Sequence, residues 1–149
     1  MKRGQRLKPL HDLASQSERS LAVQLRDSER RVIENEQRHQ ELLGYRSEYE
    51  QLFRARARGG APMGALRDQQ GFIARLSEAV SAQLVLLANL RAQSAALRLQ
   101  WRSAATAKQV MGKVIDVVRM EESMRLEKHL QKETDELARP LNPLPRTGP

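Results

Sequence analysis

The chain has 149 residues and a formal net charge of +8, with one Trp, two Tyr, two Phe and no Cys. That length suits one domain; the scarcity of aromatics argues against a sheet or a deep globular core, and the missing cysteine excludes disulfides, thiolate nucleophiles and Cys-based zinc sites. The longest uncharged Leu/Val-rich stretch, Ala79–Leu90, is well short of the ~20 residues of a membrane span, and the start MKRGQRLKPLHDLA lacks a signal-peptide apolar run, so a soluble cytoplasmic protein is expected.

The first predicted element is a helix over residues 7–57, opening close to Pro9, a residue tolerated in a first helical turn. Leu21, Leu25, Ser28, Val32, Asn35, His39 and Leu42 recur at alternating four- and three-residue steps, with Tyr49 a full heptad on and Phe53 four beyond it, the mark of a coiled-coil seam. Leu7, Leu10, Ala14 and Ser17 keep a related spacing, with a change of phase expected before Leu25. Ser28, Asn35 and His39 leave the middle of this seam poor in apolar area. Acid–base pairs four residues apart, Asp27–Arg31, Glu34–Arg38 and Glu50–Arg54, are expected to support the exposed face.

A breaker cluster follows, with Gly59, Gly60, Pro62 and Gly64 in RARARGGAPMGALRD. A phosphate-binding loop needs a preceding strand and a Lys-Ser/Thr after its glycines, and neither is present. A connection this short between amphipathic helices makes them antiparallel neighbours, so residues 58–63 read as a hairpin turn.

The second predicted helix covers residues 64–139, where Pro140 stops it. One seam position gives Leu66, Ile73, Val80, Leu87, Ser94, Trp101, Lys108 and Ile115; the other gives Gln69, Leu76, Gln83, Leu90, Leu97, Ala104, Met111 and Val118. The pattern fades after Val118. Pairing counted outward from Gly60 places residue 7 near Lys113, so roughly the last 25 residues of the second helix overhang the first. The tail RPLNPLPRTGP has four prolines in eleven residues and is expected to be disordered over 140–149. The predicted fold is all-α: one antiparallel two-stranded coiled coil spanning 1–149, with the second helix overhanging.

No acid occurs between Glu78 and Asp116. This basic band is either a surface for nucleic acid or anionic lipid, or a face set against the acids of the neighbouring helix. Glu36 and His39 have a di-iron-type spacing without the second copy such a site requires. His39 therefore reads as a seam residue, with no metal, no cofactor and no catalytic residue expected. A two-helix hairpin also lacks the dry concave pocket of an enzyme. Trp101 falls in the seam, whereas Phe72 lies beside it, so that Phe72, Ile73, Leu76, Ala79 and Val80 form a stripe wider than two helices need.

In RLKPLHDLASQSER, GYRSEYEQ, QQGFIARLSEAV and EKHLQKETDELA, taken in order from Arg6 to Ala138, the chain resembles the FliJ-type flagellar export proteins of the bacterial type III export apparatus. The resemblance implies a non-enzymatic component, similar in fold to the stalk subunit of rotary ATPases. It would bind and promote the hexameric export ATPase, contact the cytoplasmic domain of the export gate and escort export chaperones. Its location would be cytoplasmic, peripherally associated with the inner membrane at the flagellar base. The family's gate contact falls on Phe72 and Leu76, and its ATPase contact falls coarsely on Leu7, Leu10, Leu13, Lys128, Lys132, Asp135 and Glu136. A Gly before the Phe departs from the family pattern, and the Pro-rich tail has no assigned role. The free protein is expected to be a monomer, with a homodimer as the alternative, and no nucleic-acid partner. The competing readings are a generic coiled-coil scaffold or oligomerisation module, and a basic binder of nucleic acid or membrane surface.

Overall fold

The computed structural model describes residues 3–139; the expected disordered tail lies outside them. The described residues form two helices and no strand: α1, Arg3–Arg58, and α2, Met63–Ala138. Their contacts divide the chain into two units, Ser17–Ala104, and residues up to Gln16 with those from Ala105 onward.

In the Ser17–Ala104 unit the helices run antiparallel. Glu36 meets Arg91, Glu29 meets Arg98 and Glu18 meets Trp101, so partners on α1 fall as those on α2 rise, and Asn35 meets Gln83 nearer the turn. The seam positions of α2 in this unit all turn inward, from Leu66 to Ala104. Leu87 at 2% and Val80 at 4% exposure are its most buried side chains, joined by Leu25 from α1. The turn closes with the Ala61 N–H donating to Arg56 O at 3.1 Å and Gly60 at φ 77°. This is the six-to-one bond of a Schellman cap, whose left-handed residue is best supplied by glycine. The Leu66 N–H donates to Pro62 O at 3.2 Å and starts α2.

The second unit is likewise antiparallel. The Gly4 N–H donates to Glu122 Oε1 at 3.2 Å, and a methyl group on Gly112 would lie 3.6 Å from His11 Nε2. Ile115 and Val118 form its apolar centre.

Two expectations about α1 are corrected. The helix begins at Arg3 rather than residue 7, and Pro9 lies inside it. Proline forfeits one intrahelical bond there, while the cross-helix bond from Gly4 occupies one of the otherwise unpartnered N–H groups of the first turn. The seam also keeps one phase throughout: Gly4, His11, Glu18 and Leu25 point inward seven residues apart, while Leu10 and Ser17 are exposed. The inward positions carry small or polar residues, which hid the heptad.

Candidate functional site

Phe72 precedes the seam residue Ile73 and stays 38% exposed. One side of its ring rests on Tyr49, with centroids 4.7 Å apart and planes inclined at 63°, the edge-to-face arrangement favoured by the ring quadrupoles. Leu76, one turn later, occupies the seam and is half-buried. The two therefore share a stretch of α2, but the structure turns Phe72 outward and Leu76 inward. Gly71, the departure from the family pattern, faces open space, so nothing in the hairpin requires a glycine there. Gln69 lies beside the ring pair in a shallow depression with Tyr49, Asp68 and Phe72, and its buried Oε1 has no hydrogen-bond partner.

Farther from the turn, the seam is polar. Asn35, 7% exposed, donates from Nδ2 to Arg31 O at 2.7 Å and accepts at Oδ1 from Gln83 Nε2 at 2.9 Å. Arg91 and Glu36 pair at 3.0 Å, and Arg98 pairs with Glu29. The Trp101 indole N–H donates to Glu18 Oε1 at 2.9 Å, so this seam residue satisfies its polar edge across the helices. Arg102 and Lys108 also have partners. Of the five basic residues between Glu78 and Asp116, only Lys113 is not accounted for in this way. Two of the five, Arg91 and Arg98, are thus set against acids of α1. Glu36 pairs with Arg91, and the described residues hold no cluster of metal-ligating side chains.

In the other unit, Leu7 turns toward the seam, whereas Leu10 and Leu13 are exposed. A groove of about 340 Å³ beside the seam is lined by Arg3, Val110, Lys113, Val114, Val117 and Glu121. Beyond Glu122, α2 continues from Ser123 to Ala138 with every residue exposed. Lys128, Lys132, Asp135 and Glu136 all lie on this segment. It is shorter than the roughly 25 residues expected from the register, because α1 starts earlier and reaches Glu122. His129 and Glu133 approach to 3.1 Å along it, and the Thr134 hydroxyl donates to Leu130 O at 2.9 Å.

Sequence reasoning missed the cross-helix ion pairs and the Tyr49–Phe72 contact. The signal for the first was present: Glu29 and Glu36 are seven residues apart, as are Arg91 and Arg98. The pairs proposed within α1, Asp27–Arg31, Glu34–Arg38 and Glu50–Arg54, do not form among the described residues; Glu50 instead faces Arg46 at 3.9 Å.

The family model described as flagellar FliJ protein matches residues 1–141. The chain belongs to the FliJ family. No curated protein and no solved structure matches it. As a member of the FliJ family it is a non-enzymatic component of the flagellar export apparatus, interacting with the export ATPase, the export gate and export chaperones. It is cytoplasmic and peripherally associated with the flagellar base. By length and composition alone, α2 contains a window apolar enough to cross a membrane, with mean hydropathy 1.4, which the uncharged stretch Ala79–Leu90 did not suggest. Val80 and Leu87 of α2 serve the seam, with Gln83 making its polar bond to Asn35 between them, while Leu84, Val85, Leu86 and Leu99 are exposed.

Proposed function

We propose that this FliJ-family chain engages the export ATPase through the end of α2 together with the start of α1, and the export gate through Phe72 and Leu76. The observation that carries the first contact is the Ser123–Ala138 segment: a helix that continues past its last bond to α1 with all its side chains in solvent. A lone helix of that length is marginal in water, so its free surface suits a partner that completes it. Lys128, Lys132, Asp135 and Glu136 offer that partner both charge signs. The exposed Leu10 and Leu13 add apolar contact from α1, and Leu7 stiffens the base from within the seam.

The gate contact is supported by the half-open ring of Phe72, held in one orientation by Tyr49. A pre-set aromatic loses little side-chain freedom on docking. Leu76 supports it from below, becoming available only if the partner reaches the seam edge.

Truncation after Glu122 tests the first contact. Helicity per residue in the remaining chain and its melting temperature are expected to hold, while stimulation of the export ATPase is lost; full stimulation by the truncated chain would remove the segment from the contact. For the second, Phe72→Ala is expected to weaken gate binding at least tenfold while the chain stays folded, with stability lowered by only about 1 kcal/mol from the lost Tyr49 contact. Unfolding of that variant would make Phe72 a packing residue instead.

A further inference from the structure

The hairpin turn carries a feature that neither of these contacts uses. No acid occurs between Glu50 and Asp68, while Arg54, Arg56, Arg58 and Arg67 all fall in that stretch. All four are exposed. None takes part in an ion pair among the described residues, unlike Arg91 and Arg98. Arg56 and Arg58 lie in the last turn of α1, whose carbonyl end offsets part of their charge; Arg54 and Arg67 have no such offset.

The apex itself is convex and bare. From Arg54 to Ala65 every residue but Ala61 is exposed, and methyl groups added at Gly60 or Gly64 would meet nothing within 4 Å. Met63 projects from it, 72% exposed. The turn needs no apolar side chain there, since its geometry is fixed by Gly60 and the backbone bonds of Ala61 and Leu66.

We infer that this apex is a contact site for an anionic phospholipid surface. A convex cationic apex has no concavity with which to read a folded partner's shape, whereas a fluid headgroup layer conforms to it. The guanidinium groups meet lipid phosphates, and the flexible thioether of Met63 enters the boundary between headgroups and acyl chains. Nucleic acid fits less well, because four arginines gathered at one turn do not follow an extended phosphate track. Each arginine strengthens such a contact about fivefold, so four give several hundredfold. That makes a reversible, salt-sensitive attachment, one that adds to protein contacts rather than replacing them.

The cysteine-free chain makes the test direct. Met63→Cys and, separately, Ser123→Cys each carry one environment-sensitive fluorophore on the full-length protein. On phosphatidylglycerol–phosphatidylethanolamine vesicles, the label at 63 is expected to shift to the blue and the label at 123 to stay unchanged; on phosphatidylcholine neither moves. Joint exchange of Arg54, Arg58 and Arg67 for Gln is expected to lower vesicle partition on the order of a hundredfold. Joint exchange of Arg125, Lys128 and Lys132 for Gln alters net charge equally and is expected to change partition by no more than a few-fold. Equal losses in the two triple variants would reduce the effect to net charge and overturn the proposal. So would equal shifts at both labels, or no partition of the full chain. Apex-dependent binding to polyglutamate without binding to vesicles would assign the surface to an acidic protein and overturn it as well.

Discussion

Asn35 occupies a position where leucine would bury more apolar area, yet its side chain is held by Arg31 O and by Gln83. Truncating it removes the closer of Gln83's two acceptors, leaves only the Asn35 backbone oxygen at 3.2 Å, and also loses the bond to Arg31 O. Asn35→Ala is therefore expected to lower unfolding free energy by about 1–2 kcal/mol in urea titration. The joint variant Asn35→Leu with Gln83→Leu is expected to recover that loss or exceed it, at the expense of a uniquely fixed register; a double variant no better than the single would deny the pair its role. Glycines give a matched contrast. Gly60→Ala forces a side chain into the left-handed region and is expected to destabilise by about 1–2 kcal/mol. Gly71→Ala, in open helix, is expected to stabilise by about 0.5–1 kcal/mol. A loss at Gly71 would mean that something unseen needs the space.

At the scale of the helices, the two differ in how plainly their sequences declare them. Every seam position named for α2 from Leu66 to Val118 is turned inward in the structure, because that seam is mostly apolar and apolar periodicity is what a sequence displays. In α1 the inward positions include Gly4, His11, Glu18, Ser28 and Asn35, while the more obvious Leu10 and Leu13 face solvent. A heptad built from polar residues is readable only once its partners are known, so the supposed phase change was an artefact of following leucines. The same reason hid the ring contact: Phe72 could be seen to lie off the seam, but pairing it with Tyr49 needs the register to within one residue. Packing energetics should follow the inward positions. Leu87→Ala is expected to cost about 2–4 kcal/mol, whereas exposed Leu84→Ala stays within about 0.5 kcal/mol. Hydrogen exchange should rank the elements likewise: amides beyond Ser123 exchange first, and those around Val80–Leu87 last. Protection of the 123–138 amides in the isolated chain would show that the segment is already ordered against something.

For the molecule as a whole, the charge of +8 is unevenly exposed, because acids of α1 occupy Arg91 and Arg98 of the longest acid-free run. Converting Glu29 and Glu36 together to Gln should release Arg91 and Arg98. The variant is expected to elute from heparin at distinctly higher salt than the parent chain. Equal elution would show that these pairs do not mask the band. Family membership then says what the sequence's physics alone leaves open, namely which apparatus the hairpin serves.

Only Gly59 to Pro62 separate the two helices, and three backbone bonds at Gly59, Ala61 and Leu66 secure the passage between them. Sliding α1 along α2 by one heptad would require a displacement of about 10 Å, and so short and tightly tied a crossing has no slack to release. Around this turn, a pull along one helix is a pull on the other. Force reaching the hairpin here is passed on as tension, twist or bending, and axial slippage is closed to it.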